Sequence, residues 1–278
     1  MNLYKFPKLK KLENYTKVGI IALLMERFED IEKLLIRDLY TKQQIFDLIE
    51  RYYPHYDLTS NQWILGLLVQ RNVLTNLGFD CYKRNGNSLQ LNLYNEDPSS
   101  PLATAIDCVL KGNEFVCFST SILNELFNAP AALDLTILEV KKDLLYPIFL
   151  DLKAKTKIPI LLNPNDDELF RYYSEGALLL RPYASKAPLG DGAYRIEKLI
   201  VDLMKDRLIA SIFVTIDVDE CLSKLFKEYD FNIKTMLAYA ERKGVKKQAL
   251  EYLYKYLPKE KIEILLSTYK FPKLKEVL

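Results

Sequence analysis

The sequence predicts a mixed α/β (α+β) protein. A winged helix-turn-helix-like module over residues 1–95 is followed by an α/β domain over 101–278 that ends in a basic, helical C-terminal region. Three observations predict this. Before residue 95 the apolar spacing gives helices and then a hairpin-like alternation. The stretch Asn95-Glu96-Asp97-Pro98-Ser99-Ser100-Pro101 interrupts every periodic pattern, as a connection between domains does. Beyond it, short continuous apolar runs alternate with helical patterns, the reading given by strands covered with helices.

The first module is built in order. Residues 16–38 are helical, with Ile20, Leu23, Leu24, Phe28, Ile31, Leu34 and Leu35 recurring on one face. Thr41, with Gln44 three residues on, forms a capping box that starts a helix running to about Tyr53, where Pro54 stops it. Thr59 or Ser60 opens the next helix, 60–72, with Trp63 and Leu67 expected in the core. Phe79–Arg84, the turn Asn85-Gly86-Asn87, and Leu89, Leu91 and Leu93 alternating with polar residues then give a β-hairpin over 79–93. Helix, helix and hairpin follow the order of a winged helix-turn-helix, with 60–72 as recognition helix and 79–93 as wing.

In the second domain Phe115–Phe118, Leu135–Val140, Ile158–Leu162 and Ala177–Leu180 read as buried strands. Helical patterns lie at Leu102–Leu110, Ser121–Phe127, Leu144–Lys155 and Asp166–Tyr173. From Tyr194 the chain reads helical, in segments 194–206, 218–228, 232–243, 245–256 and 258–267. One repeat stands apart: Tyr4-Lys5-Phe6-Pro7-Lys8-Leu9-Lys10 recurs as Tyr269-Lys270-Phe271-Pro272-Lys273-Leu274-Lys275. The separation is far too long for a solenoid period. Each copy is a proline-interrupted extended segment suited to docking in a groove of its own fold or of a neighbour.

Composition narrows the function. The four cysteines show no Cys-x-x-Cys spacing, and the single histidine, His55, cannot complete a Cys/His zinc site, so reduced core thiols are expected and no metal or other cofactor. The N-terminus has no apolar core of a signal peptide, and Val18–Met25 falls far short of the roughly 20 residues that span a bilayer. A cytoplasmic protein without membrane contact is expected. The net charge of +2 is unevenly spread: +3 over residues 1–95, −6 over 96–180 and +5 over 181–278. Faces of different sign suit different partners.

Several stretches resemble the AbiEi-type antitoxins of abortive-infection (type IV toxin-antitoxin) systems. The likeness is carried by Arg195-Ile196-Glu197-Lys198-Leu199-Ile200-Val201-Asp202-Leu203 and by Leu237-Ala238-Tyr239-Ala240-Glu241-Arg242-Lys243-Gly244-Val245-Lys246-Lys247. Looser matches are Phe118-Ser119-Thr120, Leu138-Glu139-Val140 with Lys142-Asp143, Leu162-Asn163-Pro164, Trp63-Ile64 with Leu67, and Gly78 with Tyr82. The likeness spans residues of about 40 to 253. The resemblance implies a non-enzymatic regulator that counteracts a nucleotidyltransferase-like toxin and binds its own promoter DNA, as a homodimer where one module's charge is too small. The family's wing has a basic residue and a second glycine where this chain has Phe79 and Asp80.

On this reading Lys42, Asn61, Gln62, Arg71, Lys83 and Arg84 contact DNA, and Arg242, Lys243, Lys246 and Lys247 form a basic patch for an acidic partner. Phosphate neutralisation dominates DNA affinity, so so few cations predict weak binding. Enzymatic alternatives are incomplete. Glu139-Val140-Lys141, with Asp107 or Glu114 as second acid, matches the strand motif of metal-dependent PD-(D/E)xK nucleases. Asp217-Val218-Asp219 resembles a nucleotidyltransferase metal motif but lacks its glycine turn, and Asp217 with Glu220 reads more simply as a helix cap. His55 lies between two helices with no catalytic partner recognisable in sequence.

Overall fold

The computed structural model describes residues 31–52, 54, 58–85, 100–121, 133–184, 187–188, 192–193, 195–206, 209, 217–268 and 271. The first copy of the repeat, His55, Gly86-Asn87, the Leu89–Leu93 alternation and most of the expected helices 16–38 and 121–127 lie outside these residues. The chain is mixed α/β and divides into two compact units: Met1–Ser88 with Pro258–Lys273, and Leu89–Leu257 with Leu274–Leu278. The sequence assigns 258–273 to the second domain; the structure packs them with the first. No helix among the described residues is long and apolar enough to cross a membrane.

In unit 1 the end of a helix (31–34) leads to β1 (Leu39–Thr41), α1 (Lys42–Tyr52), α2 (Leu58–Gln70), β2 (Leu74–Gly78) and β3 (Cys81–Arg84). The capping box forms as expected: the Thr41 amide donates to Gln44 Oε1 at 2.8 Å, and the Gln44 amide to Thr41 Oγ1 at 3.2 Å. The three strands form an antiparallel sheet in the order β1-β3-β2. Leu35, Ile45, Ile49, Ile64, Leu65 and Leu68 fill the core. Trp63 and Leu67, expected in that core, are only half-buried at its edge, because the buried stripe of α2 runs through Ile64, Leu65 and Leu68.

The hairpin differs from the one expected. Phe79 and Asp80, expected to begin a strand, instead form the turn between β2 and β3, with φ of 51° and 57°. Gly78 and Cys81 face each other across it. Two consecutive positive φ values define the type I′ turn, which matches the twist of the flanking strands and favours Asn-Gly. A bulky residue there is strained, and the Phe79 ring meets a compensating partner: Phe271 lies edge-on to it, centroids 5.3 Å apart. Phe271, from the second copy of the repeat, is 3% exposed. It follows α10 (Lys259–Ser267, numbering the helices through), which packs against β1.

Unit 2 begins with α3 (Pro101–Leu110), whose N-cap Ser100 accepts from the Ala103 amide at 3.0 Å. β4 (Phe115–Ser119), β5 (Leu135–Val140), α4 (Leu145–Lys155), β6 (Ile160–Leu162), α5 (Asp166–Tyr172), β7 (Ala177–Pro182) and β8 (Gly192–Ala193) follow. The sheet order is β6-β7-β5-β4-β8, with β5, β6 and β7 mutually parallel and β4 antiparallel to β5. β5 is buried at all six positions, as a central strand covered on both faces must be. Helices α6 (Ile196–Lys205), α7 (Val218–Glu228), α8 (Ile233–Lys243) and α9 (Lys246–Tyr256) complete the unit. Asn232 caps α8, and Gly244, at φ 74°, closes it in the left-handed conformation that glycine tolerates best.

Candidate functional site

The stretches Arg195–Leu203 and Leu237–Lys247 meet in the interior of unit 2. α6 is buried along Ile196–Leu203, so its polar residues one turn apart, Lys198 and Asp202, face inward. Parallel pairing of β5 with β7 sets Glu139 directly opposite Arg181 at the carboxyl end of the sheet. Arg181 donates to Glu139 Oε1 from Nε at 2.9 Å and Nη2 at 2.6 Å. Lys198 Nζ lies 2.9 Å from Glu139 Oε2 and 2.5 Å from Asp202 Oδ2.

α8 closes the far side. Tyr239 donates its hydroxyl to Asp202 Oδ1 at 3.0 Å, and Lys243 Nζ lies 3.4 Å from the same oxygen. Burial, with Asp202 beside it, pushes the Tyr239 phenol far above its usual range, so it acts as a donor at every physiological pH. Arg181 Nη1 reaches Asp206 at 3.0 Å. Three acids (Glu139, Asp202, Asp206) thus meet three bases (Arg181, Lys198, Lys243), and the cluster is electrically balanced. Next to it Glu197 Oε1 accepts from the Asn232 amide at 2.7 Å, tying the start of α6 to the cap of α8.

A cleft of about 330 Å³ opens beside this network, lined among others by Asn163, Asn165, Asp166, Arg181 and Asp206. It lies at the carboxyl ends of β6 and β7, where parallel sheets place ligand sites. At its wall the Arg181 guanidinium is already engaged by Glu139 and Asp206. The cluster joins sheet to helices.

The nuclease arrangement is not assembled. The Glu139 carboxylate is held by two cations, Lys141 faces Glu114 at 3.6 Å on the surface, and Asp107 is exposed on α3. No group of three or more His, Cys, Asp or Glu among the described residues is arranged for a metal ion. Asp217 caps α7 by accepting from the Asp219 amide at 2.8 Å. Asp219 accepts from Lys255 at 2.8 Å and Tyr256 at 2.5 Å, which hold its carboxyl down to about 2.

The residues expected at DNA are scattered over unit 1. Gln62 and Arg71 are exposed on and just after α2, Lys83 and Arg84 sit half-buried on β3, and Lys42 starts α1 with its Nζ 5.3 Å from the Phe46 ring. Asn61 is a correction: at 1% exposure it belongs to the interior and cannot reach a base edge. Of the basic patch, Arg242 and Lys247 are exposed, and Lys246 pairs with Glu241 at 2.9 Å. Lys243 is also corrected, because it turns toward Asp202 and packs 5.5 Å from the Tyr239 ring.

All four cysteines are free thiols, and three of them, Cys81, Cys117 and Cys221, are buried. Burial pushes Cys81 to about 11 and Cys221 to about 12, which keeps both protonated and unreactive. Ellman's reagent is therefore expected to titrate one fast thiol per native chain, at Cys108. The fast phase disappears in Cys108→Ser, and persistence of that phase would show that a core thiol is accessible.

Fold and site define a mixed α/β protein with a buried network of ion pairs. The chain belongs to a family of unknown function (DUF6577), whose profile matches residues 60–259. The matched span runs from α2 through α9 and takes in every residue of the buried network. No curated protein matches the chain.

Proposed function

We propose that the protein is a non-enzymatic, antitoxin-like regulator, working in the cytoplasm, that counteracts a nucleotidyltransferase-like toxin and binds its own promoter DNA. The observation that carries this reading is the connectivity of unit 1. A helix, β1, α1, α2 and a β2–β3 hairpin follow one another, with the strands in the antiparallel order β1-β3-β2, and this supports reading unit 1 as a winged-helix-like module. On this reading α2 enters the major groove and β2–β3 is the wing, with Gln62 and Arg71 on the helix and Lys83 and Arg84 on the wing. The exposed Arg242 and Lys247, with Lys246, offer the toxin a basic face at the α8–α9 corner. The paired state of Glu139 supports a binding role over the nuclease alternative, and the free thiols suit a reducing compartment.

A salt titration of binding to the promoter tests the DNA half. Log affinity falls by roughly 0.9 per neutralised phosphate, so Arg71, Lys83 and Arg84 predict a slope of about three for one module and about six for a homodimer. A slope near eight would move the DNA surface away from the wing, and no binding at low salt would refute the DNA role. For the partner half, Arg242→Glu with Lys247→Glu is expected to abolish protection of cells co-expressing the toxin while leaving the circular dichroism spectrum unchanged. Full protection by that variant would remove the patch from the proposal.

A further inference from the structure

β6 ends the sheet of unit 2, with β7 on one side and no described strand on the other. Its three residues, Ile160, Leu161 and Leu162, are apolar and only half-buried. Pairing with β7 uses alternate residues: Pro159 O accepts from the Leu178 amide at 2.9 Å, and the Asn163 amide donates to Leu180 O at 2.7 Å. In such a parallel ladder the residues between, Ile160 and Leu162, turn their amides and carbonyls outward. Pro159 faces β7, so the amide it lacks is not one of these outward donors. An apolar edge of this kind is a template for another strand.

The helices beside the edge also carry large side chains into solvent. α4 covers the face that bears Leu178 and Leu180, packing through Ile148 and Leu152. Lys155 reaches Cys108 of α3 at 3.2 Å, so Tyr146, about two and a half turns earlier, lies on the side of α4 away from α3. Tyr146 stacks on Phe149 at 6.2 Å between centroids and is 62% exposed. α5 starts over the opposite face, where Asn165 and Asp166 line the cleft with Leu179, and it exposes Tyr172 at 60%.

We infer that the β6 edge pairs with the β6 edge of a second copy of this chain, antiparallel about a two-fold axis at Leu161. The backbone is self-complementary in that register. Ile160 of each copy faces Leu162 of the other, both already pointing outward, and a pair of this kind exchanges both of its hydrogen bonds. Charge selects a second copy over an unrelated strand. The chain enters β6 through Lys153, Lys155 and Lys157, with no acid among them, and leaves it through Asp166, Asp167 and Glu168, with no base among them; all are exposed. Antiparallel pairing sets the basic entry of each copy beside the acidic exit of the other. The same axis brings α4 beside α4 and α5 beside α5, covering Tyr146 and Tyr172. The interface is isologous and closes on itself, so it yields a dimer and no fibre. The inference rests on unit 2 alone and stands whether or not unit 1 contacts DNA.

Sedimentation velocity on the full-length chain tests it, and a dimer with a dissociation constant in the micromolar range or below is expected. Tyr146→Lys with Tyr172→Lys, both at exposed positions, is expected to weaken that dimer about 100-fold or more and to leave the circular dichroism spectrum unchanged. In a Cys108→Ser background, Leu161→Cys places two thiols at the axis. Cα atoms of a non-hydrogen-bonded antiparallel pair lie about 4.5 Å apart, within the range a disulfide spans. Mild oxidation is expected to give a disulfide-linked dimer, and adding the two lysine substitutions to prevent it. A chain that stays monomeric well above the micromolar range overturns the inference and leaves the edge to a strand of another protein. A dimer that the lysine substitutions do not weaken overturns it equally. So does a dimeric Leu161→Cys protein that forms no disulfide, because its two copies meet in another register or on another surface.

Discussion

Replacing Lys198 with methionine is expected to cost about 3–5 kcal/mol, the loss seen when one partner of a buried ion pair is removed. Lys198 is 1% exposed and lies between Glu139 and Asp202, themselves 2% and 0% exposed. Methionine fills much of the volume, so the loss comes from charge. Glu139 keeps Arg181 and Asp202 keeps Tyr239 and Lys243, but the balanced cluster acquires one net negative charge in a medium that solvates it poorly. For a unit of this size the melting temperature falls by roughly 10 °C. Adding Asp202→Asn to the same chain is expected to recover part of the loss, since it removes the excess charge. A fall of under about 1 kcal/mol for Lys198→Met, the range of exposed pairs, would mean that water reaches the cluster.

Leu68→Ala is expected to cost about 2–5 kcal/mol, as a large-to-small change at a fully buried site. Leu68 is 0% exposed at the centre of the unit 1 core, where α2 meets α1. Trp63→Ala removes a much larger side chain from the rim of that core and costs less. The reversed order would show that α2 is rotated about its axis, with Trp63 inward. Chemical denaturation of the two variants, compared at equal m-value, decides between the two orientations.

Much of this fold is readable in local sequence. The Thr41/Gln44 box, the Asp217 cap, the glycine after Lys243 and the strand of Leu135–Val140 all act through neighbours in the chain, and each element forms where its signal lies. The turn between β2 and β3 was missed for a physical reason. Asn-Gly is the strongest short turn signal, whereas Phe79-Asp80 adopts the same turn against its own preference, held by Phe271 from the far end of the chain. No local rule carries that contact. The orientation of α2 escaped similarly, because a helix apolar on most sides leaves periodicity nearly silent about which stripe is innermost.

The candidate site was legible only in part. Lys198 and Asp202 stand four apart in an otherwise apolar helix, a local sign of a buried pair. Arg181, at the end of a buried strand, and Glu139 gave no sign that they belong together, because parallel register is set by long-range pairing. Lys243 read as surface charge because its partner, Asp202, sits on another helix.

The ionic cluster also constrains how unit 2 can assemble in time. Its bonds close loops of 42 residues from Glu139 to Arg181, 59 from Glu139 to Lys198 and 37 from Asp202 to Tyr239. Each closure costs chain entropy before any contact repays it. A partly built intermediate that docks α6 before β5 and β7 align would bury Lys198 and Asp202 without Glu139. Such species are penalised, which favours a route that aligns the parallel strands before α6 and α8 are seated. The expected consequence is that Lys198→Met speeds unfolding of unit 2 and leaves its folding rate nearly unchanged, as stopped-flow kinetics would read.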